Sequence, residues 1–361
     1  ANPDQADRDM DGKGDACDAC PNSPNPGAKG CPESIYAIKS GQVATGVAVH
    51  ISDALVTGIG TNGFFIQVKE GDSGYNGPDN SGLFVFTGTG ALLANATLGA
   101  RVSVDGTITN YQNEIELDPV TAVTVDAAGP EMPPAPIAVA YTDIATGGPR
   151  AATLEGVIVS LGPSTVTAFD PMYGEATLTS GTTTLVMDDF LYAATPPVGQ
   201  NYNAVTGILA LRQMASKLEP RAATDLVLGA PGLQSVAPAL SYAKVGETVN
   251  EPTYPTALTV SLTGPAQGAM TVHLTSSDAT KLTVSDLTIP DGATSASVPV
   301  TAVAQAADVT VTATLASQMA TAHVRVLGAT EVPSTVTLSP LDTAVAPNGT
   351  VSYTVTLDVP A

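Results

Sequence analysis

Between Asp7 and Asp18 the chain reads Asp-Arg-Asp-Met-Asp-Gly-Lys-Gly-Asp-Ala-Cys-Asp, a crowding of negative charge that no compact arrangement tolerates unaided. Carboxylates a few ångströms apart repel one another. They stand at positions 1, 3, 5, 9 and 12 of a twelve-residue window, with glycine at position 6. That is the ligand spacing of a calcium loop, in which the glycine permits a sharp turn and position 7 offers its backbone carbonyl. Asp7, Asp9, Asp11, Asp15 and Asp18 are therefore the candidate side-chain ligands and Lys13 the candidate carbonyl ligand. Calcium is the expected cofactor. No helical pattern flanks the loop, so a helix–loop–helix hand is not expected.

The whole run from Asn2 to Pro21 resembles a thrombospondin type 3 repeat. The lead Asn2-Pro3-Asp4-Gln5, the aspartate core and the tail Cys17-Asp18-Ala19-Cys20-Pro21 follow one another in that family's order. The resemblance implies a chain that wraps calcium ions with almost no hydrophobic core and is pinned by disulfides. It adds Asn2 and Asp4 as ligands of a second ion. After Cys20 the pattern departs from the family: Pro21-Asn22-Ser23-Pro24-Asn25-Pro26 stands where another aspartate loop would come. Residues 1–33 are thus expected to be the last repeat of an array. The cysteines Cys17, Cys20 and Cys31 all lie here. A Cys-x-x-Cys can serve zinc or redox chemistry, but no second pair and no nearby histidine completes a zinc site. Disulfides are expected, and with them an oxidising compartment. Cys20 and Cys31 would close a short loop, worth about 3 kcal/mol in the chain-entropy picture. In the family Cys17 pairs with a cysteine just upstream of the lead, so the natural chain is expected to extend further in that direction.

Composition sets the class of the remainder. Of 361 residues 43% are hydrophobic and only 13% charged, yet the net charge is −21. Ala, Thr, Val, Gly and Pro dominate, which favours strands and turns. Phosphate recognition needs clustered Lys and Arg, and the 13 basic residues form no cluster; nucleic acid is not an expected partner. No apolar run is long enough to span a bilayer, so no membrane insertion is expected in this segment.

The expected architecture is all-β and multidomain. Residues 34–129 show five short strand-like runs between Gly-rich turns, around Gln42–Ile51, which alternates, and Gly63–Lys69, Gly82–Thr87, Leu98–Ile108 and Glu114–Leu117. Such spacing suits a small closed barrel. The segments Gly63–Gln67, Ser81–Val85 and Gly99–Gly106, leading to Asn110-Tyr111, resemble OB-fold modules of bacterial secreted nucleases and surface proteins. A proline-rich linker, Gly129 to Pro136, follows. Then the pattern recurs over 137–229: Ala152–Val159 matches Val43–Val49, Val198–Leu209 matches Leu98–Ile108, and Leu218-Glu219-Pro220 answers Leu117-Asp118-Pro119. Ordered self-similarity of this kind predicts a second OB-like barrel. Residues 233–328 carry about seven strictly alternating runs, which predict an immunoglobulin-like sandwich. The stretch from Ser276 to Val298 resembles bacterial Ig-like repeats. Residues 331–361 start the same pattern and form a partial Ig-like domain, whose strands near 334–339 and 351–357 must bury Val, Leu and Tyr somewhere.

Catalytic sets are not evident. Gly71-Asp72-Ser73-Gly74 looks like a serine-protease nucleophile segment, but that chemistry needs a histidine base and a buried aspartate, and none of His50, His273 and His323 lies in the matching context. Phe64, Phe65, Phe84 and Phe86 could stack bases or sugars if they face outward; alternation puts one of each close pair into the barrel core. The pairs Glu114/Glu116 and Asp188/Asp189 have no catalytic partner beside them in sequence. The chain therefore reads as a non-catalytic segment of a bacterial extracellular or cell-surface protein, a stalk, fibre subunit or adhesin rigidified by calcium. A surface glycan is an expected partner. The C-terminal strands are expected to begin a second sandwich continued downstream, with docking on further copies of the chain by strand addition as the alternative. The rival reading is an accessory OB-fold region of a secreted nuclease or phosphodiesterase.

Overall fold

The computed structural model describes residues 6–340 and 343–360. It is almost entirely β, in several sheets. Two compact units divide at Gly229 and Ala230. Among the described residues no helix is long and apolar enough to cross a membrane.

In the first unit, β1 (Cys31–Pro32) leads into the short helix α1 (Ile35–Lys39). Ser34 caps that helix by accepting a 3.1 Å hydrogen bond from the Ala37 N–H, and the buried Ile35 and Ile38 fix its inner face. Strands β2 (Ala48–Ile59), β3 (Gly63–Gln67), β4 (Gly82–Phe86), β5 (Arg101–Tyr111) and β6 (Glu114–Ala127) follow, with α2 (Ala91–Ala94) between β4 and β5. The strands pair in the order β2-β3-β4-β6-β5, and a further β2–β5 pairing closes the ring. Its core is Ile51, Val56, Phe64, Ile66, Leu83, Val85 and their neighbours. The structure shifts two of the expected strand limits. Residues 42–47 are turns, and β2 instead runs on to Ile59. The last strand runs fourteen residues rather than stopping at Leu117, because its outer half pairs along β5.

A second ring repeats the first. It contains β7 (Ile137–Val139), α3 (Tyr141–Ile144), β8 (Ile158–Leu161), β9 (Ser164–Asp170), β10 (Glu175–Ser180), β11 (Thr183–Met187), β12 (Asn201–Arg212), β13 (Ala215–Glu219) and β14 (Leu226–Leu228). The pairings β9-β10-β11-β13-β12, with β12 returning to β9, reproduce the closed order. Register repeats as well. Val49 pairs with Gly106 and Val159 with Gly207. Val85 lies parallel to Leu117 and Met187 to Leu218. The hairpin turns Gln112-Asn113 and Gln213-Met214 both hold their two residues at positive φ, the geometry of a two-residue primed turn that suits strand twist. The proline-rich segment between the rings is held fast. Arg101 binds Glu131 at 2.9 and 3.0 Å and Asp72 at 2.7 and 2.9 Å, and the Glu131 N–H donates to the Gly99 carbonyl at 2.8 Å.

The two rings share a separate core. Phe65, Phe84, Ile158, Ile208 and Ala210 are all buried in it, with Phe86, Phe190 and Leu191 packed alongside. Alternation along β3 and β4 is therefore obeyed: Phe64 turns into the first ring, and Phe65 turns outward onto the second. Each such side chain contributes about 1.5–3 kcal/mol on full burial. Close approach demands glycine where backbone meets backbone. A Cβ on Gly82 would stand 2.2 Å from the Gly156 carbonyl carbon, and Gly156 sits at φ +80°.

The second unit holds β15 (Leu233–Ala237), β16 (Leu240–Lys244), β17 (Glu251–Pro252), β18 (Thr259–Leu262), β19 (Met270–Ser276), β20 (Leu282–Val284), β21 (Leu287–Ile289), β22 (Ser295–Ser297), β23 (Pro299–Ala302), β24 (Ala306–Leu315) and β25 (Gln318–Leu327). A five-stranded sheet, β16-β25-β24-β19-β21, and two three-stranded sheets, β15-β18-β22 and β17-β23-β20, enclose one core that includes Val260, Val272, Ile289, Val311 and Val324. The C-terminal hairpin pairs β26 (Val336–Ser339) with β27 (Thr354–Leu357). Most of its apolar side chains stay exposed within this chain, Val336 and Val355 at 61% each. Asp358 closes the hairpin by accepting hydrogen bonds from the N–H and hydroxyl groups of Ser334 and Thr335.

The glycine contact makes a direct prediction. Gly82→Ala should lower the stability of the first unit by about 1–3 kcal/mol, the cost of overpacking. The denaturant midpoint of its unfolding transition reads this, and an unchanged midpoint would mean that the two backbones do not touch.

Candidate functional site

Two clusters of charged side chains stand out. The first is the N-terminal loop. Asp7, Asp9 and Asp11 bring one carboxylate oxygen each within 4.8 Å of one another. Local hydrogen bonds shape the loop. The Gly12 N–H donates to Asp7 Oδ2 at 3.1 Å, the Asp11 N–H to Asp9 Oδ1 at 3.3 Å and the Lys13 N–H to Asp11 Oδ1 at 2.7 Å. Gly12 at φ +94° makes the sharp turn. Asp7 Oδ1, Asp9 Oδ2 and Asp18 Oδ2 are shielded from solvent without a hydrogen-bond partner. Burial and the neighbouring Asp11, Asp18 and Asp7 carboxylates raise the Asp9 pKa. Clustered carboxylates with partnerless oxygens are what a hard cation with oxygen ligands would satisfy, so the residues fit the group that the spacing predicts.

Among the described residues the group of three does not include the other expected ligands. Asp15 turns to Arg8, accepting a 2.8 Å hydrogen bond from its N–H. Lys13 directs its ammonium to the Asn25 carbonyl. Asn2 and Asp4 lie outside the described residues. The sequence did not single out Asn25, which is buried and donates its N–H to Asp11 Oδ2 at 2.9 Å. A disulfide joins Cys20 to Cys31, with Cα atoms 5.7 Å apart, and Cys17 is free and exposed. Because Cys31 pairs with Val49 of β2, the bond ties the loop to the first ring.

The second cluster lies where the two rings meet. A cleft of about 610 Å³ opens there beside the shared Phe65–Phe84 core. It brings together the pairs that stand apart in sequence: Glu114 and Glu116 on β6, and Asp188 and Asp189 after β11. Burial, with Glu155 nearby, pushes the Glu114 pKa up to about 8; burial and Asp118 push that of Glu116 up to about 7. Glu219, fully buried behind the cleft, is also raised by burial and by Asp188. Arg212 is the main local cation. Its guanidinium lies 3.6 Å from the Phe190 ring centre and 4.8 Å from that of Phe84, and its Nε is 3.5 Å from Glu219 Oε1. Lys217 pairs with Glu175 and, at 3.1 Å, with Asp188. Burial alone would lower its pKa, and these two carboxylates outweigh that and raise it. Behind β6, Lys39 meets Glu155 at 2.5 Å, both nearly sealed from solvent.

Sequence reading missed Glu155, Glu219 and the placement of Arg212. Carboxylates set among apolar residues, as in Leu154-Glu155-Gly156-Val157 and Leu218-Glu219-Pro220, were the available signal. The protease-like segment is structural: Asp72 accepts hydrogen bonds from Arg101 and from the Lys69 N–H. Among the histidines, His50 lies 2.9 Å from Asp105, His273 2.6 Å from Asp286 and His323 2.8 Å from Asp308.

No family model and no curated protein matches the chain. Solved structures overlap it at low similarity. Domains 4 and 5 of the S-layer protein SbsC align at 13% identity and a TM-score of 0.22, over 62% of this chain and 95% of that one. The S-layer protein rSbsC(31-844) aligns at 11% identity and a TM-score of 0.22, over 85% of this chain and 62% of that one. Domains 1–6 of the surface layer protein SbsC align at 13% identity and a TM-score of 0.23, over 84% of this chain and 58% of that one.

The raised Glu114 pKa makes stability depend on pH. The folded protein keeps the proton up to about pH 8, whereas the unfolded chain releases it near 4.5. The folded state therefore holds the extra proton between those values, and stability present below pH 4.5 is lost as pH rises toward 8. Glu114→Gln should match the parent near pH 4 and exceed it by a few kcal/mol, on the order of 1.4 per pKa unit, near pH 9. Chemical denaturation at the two pH values reads the difference. A constant offset at both would contradict the assignment.

Proposed function

We propose that the chain is a non-catalytic structural segment of an extracellular or cell-surface protein, and that calcium orders its N-terminal loop. The observation that carries the calcium reading is the meeting of Asp7, Asp9 and Asp11, with partnerless carboxylate oxygens on Asp7, Asp9 and Asp18. Asp7, Asp9, Asp11 and Asp18 would hold the ion through their carboxylates; calcium supplies charge neutralisation and no chemical step. Asp15, engaged with Arg8, would contribute through water, as the corresponding loop position often does. The thrombospondin type 3 resemblance of this segment agrees with that arrangement. The Cys20–Cys31 bond supports an oxidising exterior, where calcium modules of modest affinity operate.

The closed ring order, with a helix between the third and fourth strands, supports the OB-like reading of the first ring. The accessory role in a nuclease finds less support, because acidic side chains outnumber basic ones in the cleft between the rings and phosphates favour the opposite balance.

Calorimetry of the whole chain should detect calcium binding with Kd about 10⁻⁴–10⁻³ M. Millimolar calcium should protect the segment 6–30 from proteolysis, a stabilisation of about 1–2 kcal/mol. Asp9→Asn should abolish the heat of binding while leaving the far-ultraviolet spectrum unchanged. Absence of both heat and protection at about 5 mM calcium, well above that range, would refute the proposal.

A further inference from the structure

The cleft between the rings contains polar atoms that the protein leaves unsatisfied. Asn62 Oδ1 is an acceptor without a donor, Arg212 Nη2 is a donor without an acceptor, and Glu114 Oε1 has no hydrogen-bond partner. All three residues line the cleft. Glu114 is only 3% exposed, and a buried polar atom without a partner costs about 1–3 kcal/mol. Unsatisfied groups of both signs in one cavity call for a ligand that donates and accepts in the same small volume. Hydroxyl groups do both.

The walls are consistent with such a ligand. Tyr111 and Tyr173, one from each ring, are 57% and 58% exposed at the cleft. Phe86 and Phe190 line it further in, beside the stacked Arg212. Ligand pockets commonly combine apolar and aromatic walls with a few placed polar groups. Gln112 and Gln213, in the matching positive-φ turns, add two amides. Charge narrows the class. Asp118, Glu175, Asp188 and Asp189 oppose Arg212 and Lys217, and Lys217 is already paired with two of them. Anionic ligands are therefore repelled. Among the described residues, the cleft carboxylates do not form a group of three with oxygens mutually within 4.8 Å, as the N-terminal loop does, so a bare divalent ion is poorly served.

We infer that this cleft binds an uncharged oligosaccharide, its sugar faces against Tyr111 and Tyr173 and its hydroxyls on Asn62, Glu114 and Arg212. Glu114 and Glu116 can act as donor or acceptor near neutral pH, since burial keeps part of each population protonated. The site belongs to neither ring alone. It is independent of the calcium loop, so it stands or falls separately from the structural role proposed above.

The test is calorimetric titration of the whole chain with neutral hexose oligosaccharides, with uronic-acid and sulfated oligosaccharides and single-stranded DNA as anionic comparisons. A neutral oligosaccharide should bind equally well in calcium and in EDTA, and the anionic compounds should not compete with it. The double variant Tyr111→Ala/Tyr173→Ala, made at exposed positions, should weaken binding by about tenfold or more, the scale of one lost aromatic contact pair. Arg212→Gln should weaken it further. Binding unaffected by the tyrosine variants, preference for the anionic compounds, or no neutral oligosaccharide bound at millimolar concentration would each overturn the inference.

Discussion

Packing of Phe65 and Phe84 against Ile158 and Ile208 is the contact from which the rest of the first unit follows. It is possible only because Gly82 and Gly156 let two backbones touch. Once the rings are joined, β6 of the first and β13 of the second face a common space, and the acidic residues at their ends are carried into it. Hydrogen bonds then bridge the seam. The Asn80 N–H donates to the Thr153 carbonyl at 2.6 Å, and Gln67 reaches the Ile158 N–H at 3.4 Å. Arg150 pairs with Asp79 and Lys39 with Glu155 at its margin.

That seam is expensive in electrostatic terms. Glu114, Glu155 and Glu219 are all below 5% exposure, and an isolated charge in such surroundings is strongly disfavoured. The structure meets the problem in two ways: Lys39 supplies an ion partner to Glu155, and burial holds Glu114 and Glu219 toward their neutral forms. An apolar seam of the same shape would be as stable or more so. Buried groups with displaced pKa values gathered at a cleft are a recognised mark of binding sites, and the partnerless atoms of Asn62 and Arg212 lie in the same place.

Much of the local architecture was legible. Short apolar runs bounded by turn residues located Gly63–Gln67 and Gly82–Phe86 nearly to the residue, because a strand buried on both faces reads as a continuous apolar run. Weak self-similarity between Val43–Val49 and Ala152–Val159 corresponds to matched register in the structure. The acidic loop was legible because metal-ligand spacing is local in sequence; Asn25 was not, since it meets Asp11 only after the chain turns back. Helix α1 escaped notice because five residues are too few for a helical period to show. The cleft was illegible for a different reason. Glu114, Asp188 and Arg212 are far apart in the chain, and only the join between the rings assembles them. In the C-terminal hairpin alternation foretold the strands, and Val336 and Val355 stay exposed within this chain.

The central claim is that the two rings form a single cooperative body. Native-state hydrogen exchange of the whole chain tests it most directly. If the claim holds, the slowest amides of β5 and β12 open with the same free energy and respond alike to denaturant, because the shared core is lost only on global unfolding of the unit. If the second ring opens by itself at distinctly lower free energy while the first stays protected, the Phe65–Ile158 packing does not bind the rings into one body, and the account of the cleft built upon it is contradicted.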